Sequence, residues 1–251
     1  MVDIAKVVAP APMEGHGGYN RSSRVQATGS SPALHLLKHA AQTVAVAAEP
    51  APIVIADYGA SEGRNSLLPM NAAIGTLREP VRAISVMQTM ACDAAGEFGY
   101  RPLLDAMYAT LIDLVGQRLI GADEAHRMAI PTVGRTYEEF AAPFAQDGRF
   151  SGLVIDHLEI FDAQDRIWLE FEGNGDSRAF GAQWAAFCCA SVFPTLAAQL
   201  AGRGSDPRAG EFIERMEAGV AARLTNAPAR MQIPLAKMSL VKSMGSAETQ
   251  R

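Results

Sequence analysis

The stretch IVIADYGASEGRNSLL (53–68) decides the fold. Ile53, Val54 and Ile55 form a short β-branched run without polar alternation, which suits a strand buried on both faces, as in a parallel sheet covered by helices. The strand ends at Asp57, whose carboxylate then stands at the carboxyl edge of the sheet, where ligands of open α/β folds bind. Gly59 and Gly63 permit a tight turn and let the backbone approach a ligand with no Cβ in the way. A helix then starts near Gly63–Asn65 and presents free N–H groups. The spacing D-x-G-x-x-x-G is neither the G-x-G-x-x-G of dinucleotide binders nor the G-x-x-x-x-G-K-[ST] of a P-loop, and no lysine is placed to meet a phosphate. An acid beside two turn glycines suits a cationic ligand without a pyrophosphate, such as S-adenosylmethionine. Taken alone, the loop fits an ordinary strand–turn–helix joint equally well, because Gly and Asp are common there.

Working outward, Pro32–Glu49 carries Leu34, Leu37, Ala41 and Val44 at helical spacing, with Ser31 as its cap and Pro32 at the first helical position. A helix through NSLLPMNAAIGTLRE (65–79) and a strand AISVMQTM (83–90) follow the loop. Residues 102–119 and 122–129 read as helices. Thr136, with Glu139 three residues on, predicts a capping box at the start of a short helix. FSGLVIDHLEIFD (150–162) reads as a strand, and strict alternation puts Val154 and Ile160 on one face and Ile155 and Phe161 on the other. Helices over about 179–202 and 207–225 precede a last strand in MQIPLAKMSLVKS (231–243). Alternating strands and helices give an α/β fold.

The 251 residues, 49% hydrophobic and 20% charged, are enough for a sizeable core and too apolar for a disordered chain. Net charge is −5, and the 22 basic residues, 18 of them Arg, are scattered singly, so nucleic acid is not an expected partner. Cys92, Cys188 and Cys189 form no CxxC pair and read as buried thiols of a reducing compartment. The start MVDIAKVVAPAP does not read as a signal peptide. No stretch reaches the ~18 uninterrupted apolar residues of a membrane span. These features point to a cytoplasmic protein.

Taken with what surrounds it, IADYGASEGRNSLL resembles motif I of the SABATH carboxyl methyltransferases, the salicylate, jasmonate and caffeine-synthase type, whose pattern runs roughly I-A-D-L-G-C-S-S-G-P-N-T-L-L. Asp57, Gly59, Ser61, Gly63 and Asn65 match, and Ala60 replaces the usual Cys. Upstream, MEGHGGYNRSSRVQ (13–26) resembles the family's M-x-G-G-x-G followed by S-Y-A-x-N-S-x-x-Q, with Tyr19, Ser23 and Gln26 at the same mutual spacing. A third stretch, 133–162, resembles the family's segment ahead of its last helices. The resemblance runs over most of 13–90 and 95–240, in the style of bacterial members.

That resemblance implies a Rossmann-like class I methyltransferase sheet, shortened, with a helical cap. The implied division is 1–95 for the closing segment and first half of the cofactor-binding sheet, 96–149 for the cap, and 150–251 for the remaining strands and helices. Tyr19, Ser23, Asp57, Gly59, Ala60, Gly63 and Asn65 would hold S-adenosylmethionine, and Gln26 a small-molecule carboxylate. A carboxylate of pKa ~4 is ionised at neutral pH and needs no general base, so alignment in a dry pocket carries the reaction.

The departures concern the middle of the family's sheet. Met90 stands where the second strand should end in the acid that binds the cofactor ribose, and Asp93 is the nearest substitute. The block holding the family's central strands and Trp-containing substrate wall has no counterpart. His126, Arg127, Met128 and Ala129 occupy the family's magnesium-site segment, so no metal is expected. Two other readings compete: a catalytically inactive relative acting as a binding or dimerising module, whose exposed sheet edges a second copy would cover, and a nicotinamide oxidoreductase, which the glycine spacing disfavours.

Among the remaining candidates, His35 and His39 sit at i, i+4 and read as exposed or packed rather than as ligands. Asp156, His157 and Glu159 are split between strand faces by alternation and so make no triad. Trp168, Phe171, Trp184 and Phe187 read as core or as substrate-pocket lining, and Met107, Met128, Met216 and Met231 as core filler.

Overall fold

In the computed structural model, residues 31–43, 69, 72–73, 84–130, 132–145, 148–150, 153–202 and 205–242 are described. They group into two compact units, each drawn from separate stretches of the chain. The first takes in 100–132 and 164–232 and is helical; the second takes in the strands from 26–99, 133–163 and 233–251. The strand expected at 53–55 and most of the helix after it lie outside the described residues.

Among the described residues, the sheet unit holds three strands: β1 (Ile84–Met90), β2 (Leu153–Asp162) and β3 (Pro234–Lys242), in the order β1-β3-β2. The last strand is therefore the middle one. It runs antiparallel to both neighbours, from Ile84↔Val241 to Met90↔Leu235 on one edge and from Leu153↔Lys242 to Asp162↔Pro234 on the other. Pro234 opens β3, where a residue lacking an N–H is tolerated. Ala236, Met238 and Leu240 form one apolar face and pack on Phe140, Phe144, Leu153, Ile155, Leu158 and Ile160.

Phe140 and Phe144 reach that face from α4 (Tyr137–Ala141) and the 3-10 turn Ala142–Phe144. The α4 start is the expected capping box: Glu139 N–H donates to Thr136 Oγ1 at 3.3 Å, and Thr136 N–H donates to Glu139 Oε2 at 2.9 Å. α1 (Ser31–Thr43) packs beside β1 and buries Leu36 and Ala40, one turn apart, while His35 and His39 are exposed.

β2 corrects the expected face assignment. A bulge between Ile155 and His157 sets Asp156 and His157 together opposite Ser239. One extra residue inverts the alternation beyond it. Ile155 thus shares the apolar face with Leu158 and Ile160, rather than with Phe161.

The helical unit holds α2 (Arg101–Gly116), α3 (Ala122–Arg127), α5 (Arg166–Asn174), α6 (Ser177–Ser191), α7 (Phe193–Ala197) and α8 (Ala209–Asn226). The helix expected over 179–202 is two helices, because Val192 leaves the helical region (φ −122°, ψ −54°) and Pro194 cannot donate a backbone bond. α5 was not foreseen. Asp165 caps it through Trp168 N–H, Gly175 ends it at φ 67°, and Asp176 at once caps α6 through Ala179 N–H. Its core sets Phe180, Trp184, Phe193, Phe212, Met216 and Val220 fully out of solvent. α8 lies close against α6 and α2 because glycines replace side chains at the crossings. A Cβ on Gly181 would strike Ala221 O and Thr225, and one on Gly219 would strike Thr110.

Candidate functional site

Tyr19, Ser23, Gln26, Asp57, Gly59, Ala60, Gly63 and Asn65 all lie outside the described residues. What the structure places is the carboxyl end of β1 and the loop leaving it. Met90 is half-buried opposite Leu235, and no acid stands at that strand end. Ala91 N–H donates to Pro234 O, and Cys92 N–H donates to Arg135 O, tying the 133–136 segment beside the strand end. That approach requires Gly134, where a Cβ would lie 2.5 Å from Ala91 O and 2.9 Å from Cys92 Sγ.

Asp93 belongs to the loop's own architecture. Its Oδ1 accepts from Ala95 N–H at 2.8 Å and Glu97 N–H at 2.9 Å, closing a turn that Gly96 completes at φ 80°. One carboxylate oxygen is therefore already committed.

The opposite face of the sheet from Phe140 and Phe144 sets Lys237, Ser239 and Glu159 among apolar residues such as Leu235, Val241 and Phe161. The β2 bulge places Asp156, His157 and Glu159 on the same side, correcting the expectation that alternation would separate them. Ser239 Oγ donates to Asp156 Oδ2 at 2.7 Å. Lys237 is 8% exposed, with its Nζ 2.9 Å from Glu159 Oε2 and 5.2 Å from the centre of the Phe161 ring. His157 Nε2 lies 3.4 Å from the same Glu159 oxygen, an ion-pair distance without a hydrogen bond. The Lys237 ammonium, first of all, holds the Glu159 carboxyl below its ordinary pKa. The arrangement neutralises a buried ammonium; its one sequence signal is Lys237 and Ser239 at i, i+2 in an otherwise apolar strand.

In the helical unit an ion cluster joins two loops. The Arg208 guanidinium donates to Glu124 Oε1 at 2.6 Å and Oε2 at 3.0 Å, to both Asp206 oxygens at 2.8 and 3.0 Å, and to Leu119 O at 3.1 Å. Glu124 also accepts from Gly121 and Ala201 N–H. Arg208, followed by these backbone donors, pulls the Glu124 carboxyl down to about 2, and the Arg208 guanidinium, followed by the Arg208 and Gly202 N–H groups, lowers that of Asp206. Asp165 runs the other way: burial raises its pKa despite N–H groups from Trp168 and Met231.

Tyr100, Trp184 and Phe187 pack ring on ring, with Trp184 edge-on to the other two at 6.0 and 5.6 Å. Trp168, Phe171 and Phe180 form a second set. Trp184 and Phe180 are core, while Trp168, Phe171 and Phe187 are half-buried. Met107, Met216 and Met231 are buried, as core fillers should be. Among the described residues, no three His, Cys, Asp or Glu side chains gather to hold a metal, and no helix is long and apolar enough to cross a membrane.

Residues 8–93 match the family model described as SAM dependent carboxyl methyltransferase. Over that stretch the chain is similar to this family. Among solved structures, the one titled "Loganic acid methyltransferase with SAH" matches at 14% identity and a TM-score of 0.47, over 72% of this chain and 48% of that chain. The chain thus spans about half the length of that structure. No curated protein matches the chain.

Proposed function

We propose that this chain binds S-adenosylmethionine and methylates the carboxylate, or a ring nitrogen, of a small molecule. The observation that carries the reading is the family match over residues 8–93, which contains every residue assigned to the site. S-adenosylmethionine supplies an electrophilic methyl on a sulfonium sulfur. The donor set suits its amino-acid end: Asp57 offers a carboxylate to the ammonium, and Gly59, Ala60, Gly63 and Asn65 bring backbone N–H groups close. Tyr19 and Ser23 close over the cofactor, and Gln26 orients the substrate carboxylate. The donor set is poorer at the ribose, since Met90 offers no acceptor and Asp93 Oδ1 is engaged by its own loop. Because a carboxylate is ionised at neutral pH, these residues need only align and dehydrate it.

A second reading, a catalytically silent relative that binds or dimerises, is favoured by Met90 and by the central block without a counterpart. Isothermal titration with S-adenosylmethionine, followed by a methyl-transfer assay on small carboxylic acids, separates the two. Binding with turnover supports the enzyme, and binding without turnover supports the silent relative. No heat at millimolar cofactor removes both as cofactor-binding readings. We further propose a cytoplasmic location, supported by three cysteines whose spacing makes no CxxC pair.

A further inference from the structure

We draw no further inference here: the strongest candidate, the exposed apolar patch on α2 formed by Tyr108 and Ile112 one helical turn apart, carries nothing because nothing in the structure shows what covers it.

Discussion

Lys237 shows at the scale of one residue how this chain tolerates charge in its sheet. Its ammonium is almost out of water, held by the half-exposed Glu159 and lying over the Phe161 ring. Removing the carboxylate strands the charge, whereas removing the ammonium leaves only a partly solvated acid. Glu159→Ala should therefore lower stability by about 1–2 kcal/mol, and Lys237→Met should fall closer to wild type, as urea melts at pH 7 will show. Glu124 makes the corresponding pH statement. Its pKa is depressed from 4.5 to about 2 in the folded chain. The stability it contributes is thus complete above pH 4.5 and lost as pH falls toward 2, because the unfolded chain takes up the proton first. Urea midpoints measured across that window should fall less steeply in Glu124→Gln than in wild type. An equally steep loss would mean that Glu124 is not the group responsible. Neither cluster stands out in the sequence, since Glu124 and Arg208 are joined only by folding.

At the scale of elements, one residue more or less matters in two places. Gly181 lies where α6 meets α8, and its missing Cβ leaves room for Ala221 O and Thr225. Gly181→Ala gains about 1 kcal/mol of helix propensity but forces the pair apart. The net result should be a loss of roughly 1–2 kcal/mol, read as a lower thermal midpoint with helical circular dichroism retained. In β2, deleting Asp156 would abolish the bulge and restore strict alternation. The pairings on either side would stay as they are, Ile155 opposite Leu240 and His157 opposite Ser239, so Leu158 and Ile160 keep the apolar face. The deletion should therefore fold but lose the Ser239 Oγ hydrogen bond, while Asp156→Asn, which keeps an acceptor for that hydroxyl, should lie closer to wild type; urea midpoints, with near-ultraviolet circular dichroism retained in both, will distinguish them. The pattern of legibility follows the same physics. β1 and the Thr136 cap were readable because period and cap chemistry are local. The faces of β2 were not, because a bulge is set by the partner strand. α5 was missed because its nine residues are marked only by Asp165 ahead and Gly175 behind. The division of 179–202 rested on Pro194, whose position just after the break was the available clue.

At the scale of the whole molecule, the family match and the described architecture meet on β1 and the loop to Asp93, the last residues of residues 8–93. If Asp57 anchors the cofactor, saturating S-adenosylmethionine should stabilise the folded chain by about 2.7 kcal/mol at a hundred times Kd. Asp57→Ala should erase that shift while leaving the ligand-free thermal midpoint near wild type, as thermal melts with and without cofactor will report. The candidate site was legible only through motif resemblance, since an acid and two glycines after a strand do not specify a ligand. The strand order has a consequence for how the molecule is made. β3 is the last of the described elements, yet it lies between two strands that precede it, and its partner β1 comes on the order of 150 residues earlier. During synthesis β1 and β2 must wait for β3, the strand that pairs with both, to emerge. The helical unit's 164–232 stretch, by contrast, is already complete when β3 begins. A stop codon a few residues before Pro234 would therefore remove the seam of the sheet rather than trim its margin, leaving two strands with no partner in common.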